Sequence, residues 1–217
     1  MANTSNARRP LKTRGSRWAQ ALARGLAARG VSPNQISIAS RCFAALGAAA
    51  LLAAPAASPG ARSILFLLAA ACVQLRLLCN LLDGMVAVEG GLGSASGPVY
   101  NELPDRIADP LFLVPAGYAT CLSLGPELGW LAGVLALITA YIRTLGASLG
   151  LAQDFRGPMA KPHRMAALTA GLIGAAVAAP WGWDGELLAL ALLVIVLGTS
   201  WTAVRRTATL IRGLNAR

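Results

Sequence analysis

The sequence is poor in charged residues, in aromatic residues and in histidine. Charged residues make up 13% of the 217 positions and aromatic residues 6%, against 56% hydrophobic residues, and there is one histidine. Apolar runs of about twenty residues with so little charge exclude a soluble globular protein and are typical of a bilayer protein. The length predicts a single all-α bundle of membrane helices with short loops and no soluble domain.

Cysteine is also scarce, and its placement excludes two kinds of site. The four cysteines lie inside apolar runs, without CxxC spacing and without histidine neighbours; they are Cys42, Cys72, Cys79 and Cys121. The sequence therefore predicts small buried side chains, and neither disulfide bonds nor a zinc site.

The N-terminus lacks the apolar segment of a cleavable signal peptide. Residues 1–15 are basic and predicted to be disordered, whereas 16–30 is predicted to form an alanine-rich amphipathic helix on the membrane surface. Trp18, Leu22 and Leu26 would share one side of this helix. The alternative interpretation is a basic tail that only sets the topology.

Six membrane spans are predicted within a membrane domain at 31–206, followed by a basic tail at 207–217. The first is expected to begin after a Ser32 cap with Pro33 in its first turn. The six predicted spans cover approximately residues 33–54, 62–87, 99–122, 130–151, 165–179 and 187–204.

Lysine and arginine are distributed unequally between the loops. They cluster before the first span, between the fourth and fifth and after the sixth, whereas the opposite loops contain only Arg62. By the positive-inside rule, both termini and the 88–98 loop are predicted to be cytoplasmic. The net charge of +10 is thus attributed to topology and anionic membrane phospholipid, and not to nucleic acid.

Polar residues are concentrated at the cytoplasmic ends of the second and third spans. Ionisable groups inside a span cost roughly 2.5 to 3.5 kcal/mol each, so this concentration is informative. Asn80, Asp83 and Ala87 share one helical face of the second span, and Asn101, Asp105 and Asp109 share one face of the third. Because a short loop joins the two spans, the two faces are expected to meet.

This set of oxygen ligands suits magnesium, manganese or calcium better than zinc. Gly84 and Gly97 would leave space beside it for a helix or a ligand. The alternative is that the polar groups only cross-link the helices, or pair with Arg76, Arg106 and Arg143.

Basic residues are expected to surround the acidic cluster. The residues concerned are Arg41, Arg76 and Arg143 in the inner halves of their spans, and Lys161, His163 and Arg164 at the start of the fifth. They could form an anion-binding rim. Snorkelling and topology are the alternative, which is favoured for His163 and Arg156.

Residues 80–105 resemble the signature of the CDP-alcohol phosphatidyltransferase family, D-x2-D-G-x2-A-R-x8-G-x3-D-x3-D. The matching positions, with every spacing kept, are Asn80, Asp83, Gly84, Ala87, Val88, Gly97, Asn101 and Asp105. Three of them depart from the signature, since Asn80 and Asn101 replace aspartates and Val88 replaces arginine. The paired asparagines are most similar to the YnbA-like bacterial subgroup.

The resemblance implies an enzyme of the bacterial inner membrane with a cytoplasmic site, and a homodimer. It would move a phosphatidyl or related group from a CDP-linked lipid donor, such as CDP-diacylglycerol, to an alcohol acceptor, with release of CMP and with Mg²⁺ or Mn²⁺ as cofactor.

The resemblance also assigns roles to individual residues. Asp83 and Asp105 would be catalytic, with Asp105 as the general base. The implied metal ligands are Asp83, Asp105, Asn80, Asn101 and Asp109. The implied nucleotide contacts are Asn34, Asn80, Gly84, Ala87 and Gly97, and the phosphate or acceptor contacts are Arg143, Lys161 and Arg164.

The two asparagines remove two negative charges, so weaker metal binding or a single bound ion is expected unless Glu89, Glu102 or Asp109 is recruited. Two rival functions remain. One is a catalytically silent relative that binds nucleotide or lipid or acts as a scaffold, and the other is a small cation-coupled transporter.

Overall fold

The computed structural model describes residues 15–89 and 97–217, and within these ranges the chain is helical with no strand, as predicted. The helices are α1 (Arg17–Ala28), α2 (Pro33–Ala53), α3 (Pro59–Glu89), α4 (Gly97–Ala119), α5 (Gly125–Ser148), α6 (Lys161–Ala178) and α7 (Asp184–Asn215). Residues 1–14 of the predicted basic N-terminal tail lie outside the described ranges. The side chains at 88, 89 and 97–101 are not described either.

Helices α2, α3, α5, α6 and α7 are each long and apolar enough to cross a membrane. With these five apolar helices in the described part of the chain, the protein is a multi-pass membrane protein. Helix α4 falls outside the set because its first half is rich in charge. Its 23 residues extend about 35 Å, enough to cross about 30 Å of hydrocarbon, so the sixth span stays a prediction.

Helix α1 packs on the end of α3 through alanines. Ala19 and Ala23 are fully buried in a cluster with Leu82 of α3, whereas Trp18 and Leu22 remain 53% and 38% exposed. An exposed apolar edge of this kind suits the membrane interface. Its location there stays a prediction.

Helix α2 begins where the sequence predicts, at a capping box. The Ser32 hydroxyl accepts a hydrogen bond from the Gln35 backbone N–H at 3.3 Å, and Gln35 Oε1 accepts one from the Ser32 N–H at 2.8 Å. Pro33 occupies the first helical position, where its missing N–H has no cost.

Close backbone contact joins α4 to α5. A Cβ atom at Gly129 would lie 2.8 Å from the Leu113 carbonyl oxygen and 2.9 Å from that of Val114. Only glycine allows the two helices to approach this closely without a shift. This contact fixes the position of α4, which carries half of the polar cluster.

Helix α7 continues to Asn215, so most of the segment predicted as a separate tail at 207–217 belongs to this helix. Its Arg206 is buried and donates to the carbonyl oxygens of Arg156 and Thr139, both at 2.9 Å. The prediction treated this arginine as a topology signal. It also holds the α5–α6 loop and α5 against α7.

The cysteines are only partly as predicted. All four are free and Cys72 is buried, but Cys42 and Cys121 are exposed, so the prediction of burial is wrong for these two. Cys42 lies on an outward face of α2, and Cys121 lies in the α4–α5 turn with a φ of 57°. An apolar run therefore marks a membrane segment without showing which face of it is buried.

Candidate active site

A pocket opens where the ends of α2, α3 and α4 meet. Asp83 and Asp105 both line it, as the sequence predicts for the two faces of the α3–α4 hairpin. Its full lining is Ser37, Ser40, Arg41, Arg76, Asn80, Asp83, Pro104, Asp105 and Ala108. The lining residues of α3 recur at i, i+4 and i+7, which places them on one side of the helix.

Asp83 is 6% exposed. Its Oδ2 accepts a hydrogen bond from the Ser37 hydroxyl at 3.1 Å. Its Oδ1 is buried and has no hydrogen-bonding partner in the described residues. A buried carboxylate oxygen without a partner is costly, and a bound cation would satisfy it.

Asp105 is surrounded by donors. Its Oδ1 accepts from Arg76 Nη2 at 2.9 Å and from Asn80 Nδ2 at 2.5 Å, and its Oδ2 accepts from Lys161 Nζ. A carboxylate offers about four lone-pair sites. One is therefore left for a further hydrogen bond.

Asn80 connects α2, α3 and α4. Its Oδ1 accepts from the Ser40 hydroxyl at 3.0 Å while its Nδ2 donates to Asp105. An aspartate here could not donate, and would repel Asp105 at this distance unless a cation lay between them. The asparagine thus makes the contact between α3 and α4 favourable without a metal.

Asp109 does not line the pocket. It lies one helical turn beyond Asp105, is 2% exposed, and accepts a hydrogen bond from Arg164 Nη2 at 2.6 Å. Arg76 Nη1 lies 3.4 Å from its Oδ1. Two guanidinium groups thus already balance this carboxylate, and the arrangement gives no support to the predicted metal-binding role.

The three predicted phosphate-binding residues all have carboxylate partners. Lys161 pairs with Asp105, Arg164 with Asp109, and Arg143 with Glu102. The acids of the cluster therefore do pair with arginines, as the alternative interpretation expects, and a pocket lies beside these pairs. Glu102, which could have been recruited to a metal, is instead bound to arginine.

The α5–α6 loop contacts the same region. Gln153 Oε1 accepts from Arg143 Nη1 at 2.7 Å, and the Arg143 guanidinium lies 5.0 Å from the centre of the Phe155 ring. Nearby, two opposite effects act on the pKa of the Asp154 carboxyl. Burial raises this pKa, but hydrogen bonds from the side chain and backbone of Arg156 lower it by more, so the pKa is below its usual value. These bonds close a tight turn in the loop.

Several predicted nucleotide contacts do not line the pocket. Asn34 is exposed near the start of α2, and Gly84 and Ala87 are half-buried on α3 just beyond Asp83. Gly97 and Asn101 lie in the first turns of α4, in the segment whose side chains are outside the description. The same holds for Val88 and Glu89 at the end of α3.

Two polar residues of the pocket, Ser37 and Ser40, escaped the sequence analysis. Together with Arg41 they occupy i, i+3 and i+4 on α2, a spacing that places them on one face of the first span. Serine is common in membrane helices as a packing residue, so only the partner on α3 reveals its role.

The oxygen ligands at the pocket fit one divalent cation. No group of three or more histidine, cysteine or acidic residues placed to hold a metal occurs in the described ranges. The available ligands are two carboxylates completed by the amide and hydroxyl oxygens of Asn80, Ser37 and Ser40. Hard oxygen ligands of this kind suit magnesium or manganese.

Two curated relatives match most of the chain, although no family model matches it. The chain is 29% identical over 184 residues to the inner membrane protein YnbA of Escherichia coli K12, covering 81% of this chain and 82% of that protein. It is 28% identical over 154 residues to the phosphatidylinositol phosphate synthase of Mycobacterium marinum, covering 69% of this chain and 62% of that protein.

Solved structures of the Mycobacterium tuberculosis phosphatidylinositol phosphate synthase share the fold. The form with CDP-DAG bound superposes with a TM-score of 0.69 at 22% identity, covering 90% of this chain and 94% of that one. The complex with manganese and citrate gives 0.71 at 23% identity, covering 88% of each chain. The resemblance predicted from the signature is confirmed: the chain is a homologue of YnbA and of the phosphatidylinositol phosphate synthases, with the fold of the CDP-alcohol phosphatidyltransferases.

Proposed function

We propose that the protein transfers a phosphatidyl or related phosphoalcohol group from a CDP-linked lipid to an alcohol acceptor and releases CMP. The observation that carries this proposal is that Asp83 and Asp105 face one pocket where α2, α3 and α4 meet. The fold supports it, because the Mycobacterium tuberculosis synthase with the same fold holds CDP-DAG.

A divalent cation, Mg²⁺ or Mn²⁺, would bind at the unpartnered Oδ1 of Asp83. Asn80 Oδ1 is the neighbouring candidate ligand, whereas Asp105 keeps its one free lone-pair site for the acceptor hydroxyl. When bound, such a cation neutralises charge on phosphate oxygens. The manganese complex of the Mycobacterium tuberculosis synthase supports the use of a divalent metal.

Asp105 is the group that would take the proton of the acceptor hydroxyl. Arg76, Asn80 and Lys161 hold its carboxylate in place and leave one lone-pair site for that hydroxyl. The hydroxyl oxygen bonds to the phosphorus that carries the diacylglycerol, and the bond from that phosphorus to CMP breaks. The proton passes to Asp105 and CMP leaves.

Arg41 is the pocket cation suited to the phosphates of the donor. It is exposed at the pocket and, among the described residues, has no carboxylate partner, since its Nε donates to the Ser37 carbonyl oxygen at 3.1 Å. Guanidinium groups bind phosphate oxygens through two parallel hydrogen bonds. The positive-inside distribution of basic residues supports a cytoplasmic location for this pocket, where CMP could leave into water.

The test is CMP release by purified protein in liposomes that contain CDP-diacylglycerol, with Mg²⁺ or Mn²⁺ and a panel of alcohols. Asp105→Asn is expected to lower the rate by about 10²-fold or more, the usual contribution of a general base. The matched control is Asp154→Asn, which changes a loop carboxylate that does not line the pocket.

Absence of CMP release with every alcohol would overturn the proposal. Binding of CDP-diacylglycerol without turnover would then identify a catalytically silent relative. Solute flux into the liposomes without CMP release would identify a transporter.

A further inference from the structure

The basic residues around the pocket differ in whether they are available to a ligand. We infer that the acceptor alcohol of this enzyme carries no phosphate group. The inference rests on the proposed transfer reaction and names the chemical class of its second substrate.

Two of the cations near the pocket are bound to carboxylates of α4. Lys161 Nζ donates to Asp105, and Arg164 donates to Asp109 at 2.6 Å. The side chains of the second pair are only 2% and 3% exposed. A phosphate could bind Arg164 only by separating a buried ion pair and leaving Asp109 with fewer partners, which is strongly unfavourable.

Arg143 has three partners among the described residues. It donates to Glu102 and to Gln153, and its guanidinium lies against the Phe155 ring. Glu102 also accepts from Arg106, so one carboxylate binds two guanidinium groups. Glu102 therefore holds two guanidinium groups that could otherwise bind an acceptor phosphate.

The positive charges that internal carboxylates do not neutralise would bind the phosphates of the donor. Arg41 and the cation at Asp83 would face the phosphates of the CDP-linked lipid, so a second phosphate group would meet only cations that internal carboxylates neutralise. A hydroxyl without a phosphate needs one hydrogen-bond acceptor, which Asp105 still offers. The charges thus favour an unphosphorylated alcohol.

The first arm of the test compares matched acceptors, with CMP release as the measurement. The pairs are glycerol with glycerol 3-phosphate, and inositol with inositol phosphate. We expect kcat/KM to be higher for the unphosphorylated member by about tenfold or more, the effect of one charge-assisted contact. A preference for the phosphorylated member would overturn the inference and leave the transfer reaction intact.

The second arm does not need turnover. Binding of inorganic phosphate is measured by calorimetry, without added metal, for the natural protein and for Glu102→Gln. Because the substitution releases Arg143 and Arg106, we expect phosphate affinity to rise by about tenfold or more. Glu102 is 42% exposed in its side chain, so the variant is expected to fold.

Glu127→Gln is the matched control. It removes the same charge from an exposed position at the start of α5, far along that helix from Arg143, and should leave phosphate affinity unchanged. Equal phosphate affinity in the natural protein and in Glu102→Gln would overturn the inference. CMP release with no acceptor at all would instead overturn the proposed function, and the calorimetric result would still decide whether an internal carboxylate excludes phosphate.

Discussion

The two carboxylates of the pocket have opposite surroundings. Asp105 accepts hydrogen bonds from three donors, two of them cationic, whereas Asp83 accepts one from a serine and leaves Oδ1 without a partner in the described residues. A charged oxygen that is buried and unpaired is the stronger attractor for a metal. This difference supports the proposed roles, with Asp83 as metal ligand and Asp105 as general base.

Metal binding is therefore expected to depend on Asp83. Asp83→Asn should lower Mn²⁺ affinity by about tenfold or more, because the unpaired anionic oxygen is lost. Calorimetric titration of the purified protein measures the affinity, and elemental analysis should give about one ion per chain. Asp154→Asn, which removes a loop carboxylate outside the pocket, serves as the control, and unchanged affinity in Asp83→Asn would contradict the assignment.

Arg76 is expected to stabilise the fold through two carboxylates. It is 1% exposed and lies 2.9 Å from Asp105 and 3.4 Å from Asp109. Arg76→Met leaves both acids short of a partner, which should lower the free energy of unfolding by about 3 to 5 kcal/mol. Denaturant unfolding in detergent measures this change.

Adding Asp109→Asn to Arg76→Met should recover part of the lost stability, because one of the uncompensated charges is then removed. Arg41→Met, at an exposed arginine without a carboxylate partner in the described residues, should leave stability unchanged. Additive losses in the double variant would show that Arg76 and Asp109 do not interact.

The sequence could indicate which acids face each other and named Arg76 as a possible partner, but it could not assign the other partner of each acid. Asp83 and Asp105 follow from helical spacing and from the short connection between α3 and α4. Lys161 lies 56 positions from its partner Asp105, and Ser37 lies 46 positions from Asp83. Contacts at such separations depend on how the helices pack, which no local pattern encodes.

At the scale of elements, glycine contacts decide how closely the helices approach. Gly129→Ala should lower the free energy of unfolding by about 1 to 3 kcal/mol, the usual cost of overpacking, since its Cβ would meet two carbonyl oxygens of α4 within 3 Å. Thermal unfolding in detergent checks this.

Gly174→Ala is the matched control within α6. The nearest atom to its added Cβ is Leu187 Cδ1 at 3.8 Å, so the change should be neutral or stabilising, given the better helix propensity of alanine. A Gly129 variant as stable as the Gly174 variant would show that α4 and α5 can separate without cost.

Helix existence was predictable because long apolar runs must form helices in a bilayer. Each predicted span overlaps one of the helices α2 to α7, and five of these six helices are long and apolar enough to cross a membrane. The end of α7 could not be predicted, since the polar composition of its last turns indicates a tail outside the membrane. Those turns are helical, and Arg206 within α7 and Arg217 just after it donate to carbonyl oxygens of neighbouring segments.

For the whole molecule, the distribution of basic residues predicts that both ends of the chain are cytoplasmic. At the opposite end of the bundle, Arg62 pairs with the buried Asp184 at 3.0 Å, which gives the exceptional arginine a structural role. Arg62 therefore does not contradict the unequal distribution of basic residues between the two ends of the bundle, because its contact with Asp184 accounts for it.

An impermeant thiol reagent tests this orientation with native residues. Cys121 is exposed in the α4–α5 turn, so reagent added to intact cells from the periplasmic side should label it, and Cys121→Ser should abolish the label. Cys42, on a face of the first span that would lie against lipid, should stay unlabelled. Labelling of Cys121 only after the inner membrane is made permeable would reverse the topology.

The length of α3 has a consequence for the lipid environment of the reaction. From Pro59 to Asp83 the helix rises about 36 Å, which is more than the roughly 30 Å thickness of the acyl-chain layer. The carboxylates would then stand level with the glycerol backbones of the inner leaflet, so that a donor diffusing sideways arrives with its reactive phosphorus already at the right height. Vesicles made from longer-tailed lipids would submerge the site, and membrane thickness itself would then govern the rate.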